Sequence, residues 1–238
     1  MTGGISMASP LYQVEKTCPI CEKAFTVTKT RGQSVPVKTD TDFCTHYNDI
    51  NPYYFAIWVC SNCGFAAHED RFFTLLEPQR EKIKQFLAGR QVNLDFGGPR
   101  TWEQAVTSHK LAIHYANMIS LPASHVASLT LRLAWLYREK EMIAEEQDML
   151  RKAIEAYKAA FLKEKMPIGN LSEVTLTYLI GELLRRVGET EEALSYLGRV
   201  VGNPQAKNEK RILDLAREAW HEARDAKKTP GAETITGE

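Results

Sequence analysis

Cys18-Pro19-Ile20-Cys21 and Cys60-Ser61-Asn62-Cys63-Gly64 are paired C-x-x-C elements, and their duplication decides how the first third of the chain is read. Two thiolates held by one tight turn can share a metal ion, and a second such turn completes a tetrahedron around zinc. Four thiolates close the site and leave no open position for a substrate water. Gly64, just after the second pair, suits the backbone turn toward the metal. The spacing therefore predicts one structural zinc ion held by Cys18, Cys21, Cys60 and Cys63. Two alternatives stay open: pairs that do not share a metal, because the gap between them is longer than in compact ribbons, and a redox dithiol. The dithiol is weakened because a single C-x-x-C would suffice for it and no βαβ pattern flanks either pair.

The sequence between the pairs reads as short strands. Phe25 and Val27, then Val35 and Val37, suggest two of them, and Tyr53 to Val59 reads as a longer aromatic strand that delivers Cys60 to the ion. A zinc-ribbon-like module with an insertion is expected over residues 11–76. Cys44, with His46, lies in a polar stretch and reads as a buried or incidental thiol, with a spare ligand or a nucleophile as alternatives; neither an oxyanion hole nor a third orienting group can be identified. His68 could replace a cysteine, but four thiolates already satisfy zinc. Asp40, Asp42 and Asp49 lack ligand-loop spacing and read as turn and capping groups.

Composition sets wider limits. The chain has 238 residues, enough to bury a core without disulfide staples, and its 30 basic residues balance 30 acidic ones. Nothing in that balance favours a polyanion or an anionic membrane. Residues 1–10 lack the basic start and apolar run of a secretory signal, so a cytoplasmic setting is expected, and there grouped cysteines are metal ligands or redox groups rather than disulfides. The stretch from Ile50 to His68 carries no formal charge, but Asn51, Pro52, Ser61 and Asn62 make it too polar to span a membrane.

From about Glu77 onward, charged segments rich in leucine and alanine take over, and a helical domain is expected over residues 77–226, with a disordered tail over 227–238. Gly97, Gly98 and Pro99 break any helix begun near Pro78. Thr101 and Gln104 have capping-box spacing for the next helix. Apolar stripes then recur at helical intervals: Val126, Leu129, Leu133, Leu136; Leu150, Ile154, Tyr157, Phe161; Leu176, Ile180, Leu183, Val187. Ser172 can cap the third of these and Gly188 can end it. Ala193, Leu197, Val200 and Val201 form a fourth stripe, and Ile212, Leu215, Ala216, Ala219 and Trp220 a fifth. The predicted class is α+β, mostly α.

Residues 178–201 resemble a tetratricopeptide repeat, with Gly181 and Leu184 in one helix and Ala193, Leu197 and Val200 in the next. Ala134, Tyr137, Ala153, Tyr157 and Ala160 form a weaker copy whose helices are too long, so an irregular bundle is the alternative. The run CPICEKAF together with DTDFCTHYNDINPYYFAIWVCSNCGFAAHEDRF is similar to the bacterial family known as domain of unknown function 2225. The likeness is specific from Thr17 to Phe73 and looser over the helices. It implies a bacterial cytoplasmic protein without an established activity, with Cys18, Cys21, Cys60 and Cys63 as zinc ligands and a packed aromatic strand around Asn51-Pro52 and Trp58.

Three functions can be weighed. The leading one is a non-enzymatic adaptor whose helical groove binds a protein or peptide, in an oligomeric state that the sequence leaves unspecified. The second is nucleic-acid binding through Tyr47, Tyr53, Tyr54, Phe55 and Trp58. It is disfavoured because the 11–76 segment carries six basic against seven acidic residues. The third is an enzyme, for which no phosphate-binding glycine loop, zincin helix or nucleophile elbow is found.

Overall fold

A computed structural model describes residues 9–31, 34–90, 92 and 95–228. Its strands come first, as three two-stranded antiparallel sheets, and its helices follow, so the chain is α+β and mostly α. β1 (Leu11–Thr17) pairs with β2 (Ala24–Thr30) in register from Leu11↔Thr30 to Thr17↔Ala24. β3 (Pro36–Thr39) pairs with β4 (Thr45–Tyr47) through an irregularity between Pro36 and Lys38. β5 (Ile57–Val59) pairs with β6 (Ala66–His68). The helices are α1 (Glu77–Leu87), α2 (Trp102–Met118), α3 (Ala123–Glu139), α4 (Ile143–Lys163), α5 (Glu173–Arg186), α6 (Thr190–Gly202) and α7 (Lys210–Lys228). Among the described residues no helix is long and apolar enough to cross a membrane.

Helix boundaries follow local chemistry. Thr101 and Gln104 form the expected capping box at the start of α2: the Gln104 amide donates to Thr101 Oγ1 at 3.3 Å, and the Thr101 amide donates to Gln104 Oε1 at 2.9 Å. Ser172 Oγ accepts from the Thr175 amide at 3.0 Å, capping α5. At the other end of α5, Gly188 has φ +80°, its amide donates to Arg185 O, and the Glu189 amide donates to Leu184 O. Those two bonds satisfy carbonyls that the helix itself cannot pair.

Two compact units partition the chain. The first holds the described residues before Asp40, then Thr45–Leu121 and Trp135–Lys140; the second holds Asp40–Cys44, Pro122–Ala134 and the described residues from Glu141 onward. The change of composition after Leu76 marks where strands give way to helices, whereas α1 and α2 pack in the first unit with the strands. Of the segment expected to be a disordered tail, Lys227 and Lys228 close α7, and residues 229–238 lie outside the described ones.

The first unit is built around aromatic rings. Phe72 lies 5.3 Å from Phe25, 4.9 Å from Phe65 and 5.7 Å from Trp58 between ring centroids, and Phe65 meets Tyr115 of α2 at 5.3 Å. Arg100 is buried here, and its hydrogen-bond partners among the described residues are backbone carbonyls. Its Nη1 donates to the carbonyls of Tyr54 at 2.9 Å and Ile57 at 2.6 Å, and its Nε to Phe96 O at 3.4 Å. Burial pushes its pKa down to about 10, so the guanidinium is still charged at neutral pH. It pins the turn after Gly97-Gly98 to the segment that leads into Cys60.

Some stripes came out differently. The expected long strand from Tyr53 begins instead as a 3-10 turn over Pro52–Tyr54, because Asn51 Oδ1 accepts from the Tyr53 amide at 3.0 Å and Pro52 supplies a helical φ. Only Ile57–Val59 is extended. Val35 and Val37 stay exposed at 72% and 58%, and Val201 at 40%. In α7 the buried line is Leu213, Ala216, Ala219 and Ala223, so Ile212 and Leu215 lie beside the stripe rather than in it.

In the second unit α5 is buried along its length, from Val174 to Leu184. It approaches α6 closely. A Cβ on Gly181 would stand 2.9 Å from Leu197 Cγ and 3.2 Å from the Leu197 backbone nitrogen, so only glycine fits that crossing.

Candidate metal centre

Each cysteine pair lies in a turn closing a hairpin, and the two turns share one hydrogen-bond pattern. In the β1–β2 turn the Cys18 amide donates to Lys23 O at 3.0 Å and the Glu22 amide to Cys18 O at 3.0 Å. In the β5–β6 turn the Cys60 amide donates to Phe65 O at 2.9 Å and the Gly64 amide to Cys60 O at 2.8 Å. The residue after the second cysteine has positive φ in both: +60° at Glu22 and +77° at Gly64. That conformation folds the chain back on itself and leaves both sulfurs of a pair on one side.

The turns bring the four sulfurs together. Cys18 Sγ lies 3.7 Å from Cys63 Sγ, and Cys21 Sγ lies 3.7 Å from Cys60 Sγ. All four lie within 4.8 Å of one another. A disulfide requires a sulfur separation of about 2.05 Å, so none of these pairs is bonded, and the cysteines are free. A tetrahedron with Zn–S bonds of about 2.3 Å has sulfur–sulfur edges of about 3.8 Å. The separations across the two turns match that edge, so the donor set fits zinc in size, number and chemistry.

Surrounding groups prepare the sulfurs for a cation. The Ile20 amide points at Cys18 Sγ from 3.4 Å. Asn62 Nδ2 donates to Ala24 O at 2.8 Å, tying the second turn to the first hairpin, and lies 3.9 Å from Cys60 Sγ. Such outer contacts orient ligands and stabilise thiolate charge. Cys18 and Cys60 are fully buried, with Cys21 and Cys63 partly so. Hydrogen bonds from Cys18 and Cys63 hold the Cys60 thiol down to about 2, while the bond with Cys60, together with burial, pushes Cys18 up to about 12. Cys63 is raised as well, first by its bond with Cys18. Close sulfurs with no cation resist more than one negative charge; a divalent ion among them would favour all four as thiolates.

None of the other candidates belongs to the group of four sulfurs. Cys44 is buried in the second unit, where its amide donates to Asp42 Oδ1 at 3.4 Å. His46 is on β4. His68 closes β6, with Nδ1 3.4 Å from an Asp70 carboxylate oxygen. Asp42 makes the expected local turn but also does something sequence reasoning missed: it is fully buried, 3.7 Å from Arg186 of α5. Phe55 and Trp58 are buried, and Tyr54 donates its hydroxyl to Glu139. Lys29 and Lys16 lie over the Trp58 ring at 5.2 and 5.8 Å, and Lys29 also pairs with Glu69 at 2.9 Å. The missed partner in the cysteine turns is Glu22, whose positive φ no residue preference announces.

No curated protein and no solved structure matches the chain. A family model does, over residues 11–223, spanning both cysteine pairs and almost all of the described helices. The chain belongs to the family described as uncharacterized protein conserved in bacteria, domain of unknown function 2225.

Proposed function

We propose that this is a zinc-binding, non-enzymatic adaptor of the bacterial cytoplasm. One structural zinc ion, held by Cys18, Cys21, Cys60 and Cys63, organises the strands of the first unit, and the helices of the second offer a surface to a protein or peptide. The observation that carries the zinc reading is the 3.7 Å sulfur separation across two turns of identical hydrogen-bond pattern. Four thiolates complete a zinc tetrahedron and leave no position for substrate, so the metal's role is structural. The adaptor reading is supported by the glycine-mediated crossing of α5 and α6, a tetratricopeptide-like feature, in a repeat class that presents concave surfaces to peptides. Nucleic acid is not the expected partner, since Phe55 and Trp58 are used inside the first unit.

Metal analysis tests the reading: purified protein should contain one zinc per chain, and Cys60→Ser should lose it. Structural zinc contributes on the order of 10 kcal/mol to folding, so that variant should become protease-sensitive before Phe73 while the far-UV signal of the second unit's helices persists. Cys44→Ser should change neither. Wild-type protein that holds no zinc yet resists protease in that region contradicts the reading.

A further inference from the structure

The segment Asp40–Cys44 belongs to the helical unit, and it is held there by one face of α5. Tyr178, Glu182 and Arg186 are spaced four residues apart, which stacks them along a single helix face. Tyr178 donates its hydroxyl to Thr41 O at 2.8 Å. Thr41 Oγ1 donates to Glu182 Oε1 and accepts from Arg186 Nη2 at 2.8 Å. The Asp42 carboxylate lies 3.7 Å from Arg186 Nη2, and the Phe43 ring lies 5.8 Å from that of Tyr178. A carbonyl, a hydroxyl, a carboxylate and an aromatic ring of three consecutive residues are thus each met by a side chain of one helix.

We propose that this α5 face is a recognition surface for a hydroxyl–carboxylate–aromatic turn, occupied by the chain's own Asp40–Cys44 tip and releasable to a partner peptide of the same chemistry. The proposal rests on the adaptor reading and names the class of partner.

Three observations carry it. The tip is folded by its own bonds: the Asp40 amide to Cys44 O at 2.8 Å, the Phe43 amide to Asp40 O at 3.0 Å, and the Cys44 amide to Asp42 Oδ1 at 3.4 Å. It therefore meets α5 preorganised, as a peptide ligand with little ordering cost would. Next, α5 remains charge-balanced when the tip leaves. Glu182 keeps Arg185 through two contacts of 2.8 Å and Arg186 Nε at 2.8 Å, and Arg185 also reaches Glu222 at 3.1 Å. Removing one partner of a buried pair is costly when it strands a charge, and here Glu182 is not stranded. Last, Phe43 has φ +70°, a conformation that costs an aromatic residue energy, so a peptide of the same chemistry without that strain can compete with the tip. An empty face would free Arg186 Nη2, which favours an anionic replacement.

The test uses the full chain and a fluorescein-labelled peptide of residues 38–47 with Cys44→Ser. The tip variant Thr41→Ala, Asp42→Ala, Phe43→Gly should bind this peptide at least about tenfold more tightly than wild type, whose face is already filled. Adding Arg186→Glu to that variant should remove the gain. Equal binding by wild type and tip variant overturns the proposal, as does no binding by a tip variant with a wild-type helix signal. A tip variant that loses its helix signal overturns it too, because the tip would then be an integral part of the unit. As a second measurement, excess peptide should accelerate alkylation of the buried Cys44 thiol in wild type, and an unchanged rate counts against release. None of these failures alters zinc content or capture of a partner by another face, so they are distinguishable from failure of the adaptor reading.

Discussion

At the scale of single residues, Glu22 and Gly64 do the same backbone work with opposite suitability. Both follow the second cysteine of a pair and both have positive φ, at +60° and +77°. A side chain in that conformation costs about 1–2 kcal/mol, a strain that glycine avoids. Gly64→Ala should therefore lower the stability of the zinc-loaded protein by about 1–2 kcal/mol, whereas Glu22→Gly should change it by less than about 1 kcal/mol, because relieved strain offsets glycine's greater freedom in the unfolded chain. Denaturant titration of both variants checks this, and equal destabilisation by the two would refute the shared turn geometry. The cysteines and Gly64 were legible in the sequence because their chemistry and conformational range restrict where they can serve. Glu22 was not, since only its place in the second copy of the turn reveals its role. Asp42 was half legible: its local turn follows from residue type, but its approach to Arg186 joins positions distant in sequence.

At the scale of elements, signals with a local mechanism were read correctly and tertiary ones were not. The Thr101–Gln104 box, the Ser172 cap and the Gly188 terminus each satisfy backbone groups within a few residues, and each stands where expected. The end of α2 is closed in the same manner as that of α5, with Ser120 at φ +53°, its amide bonded to Asn117 O and the Leu121 amide to Ala116 O. A serine gives no warning of that. The aromatic run from Tyr53 looked like strand because aromatic residues favour pleated surfaces, but Asn51-Pro52 imposed a turn first. Gly181 permits a different kind of prediction. Gly181→Ala should destabilise the helical unit by about 1–3 kcal/mol, despite alanine's better helix propensity, because its methyl group meets Leu197. Leu197→Ala alone opens a cavity costing about 2–5 kcal/mol. The double variant should cost clearly less than the two together, since the new methyl group would fill part of the vacated space; additivity in thermal melts would show that the two residues do not press on each other.

At the scale of the whole molecule, the two units draw on different sources of stability. The second has long apolar stripes on α4 to α6 and a central helix buried on all sides. The first has, among the described residues, three small sheets, a group of rings and four converging cysteine sulfurs. The proposed zinc ion would couple metal binding to folding by supplying what two-stranded sheets lack. The class of fold and the four convergent cysteines were both readable from the sequence, since each follows from spacing. The division into compact units was not, because Asp40–Cys44 and the last turn of α3 are assigned by packing rather than by local pattern. What lies between Cys18, Cys21, Cys60 and Cys63 decides whether zinc organises the first unit. X-ray absorption at the zinc edge of the purified protein measures it directly: the expected result is a single shell of four sulfur neighbours at about 2.3 Å with no oxygen or nitrogen. A first shell containing light atoms, or the absence of bound zinc from folded protein, would contradict it.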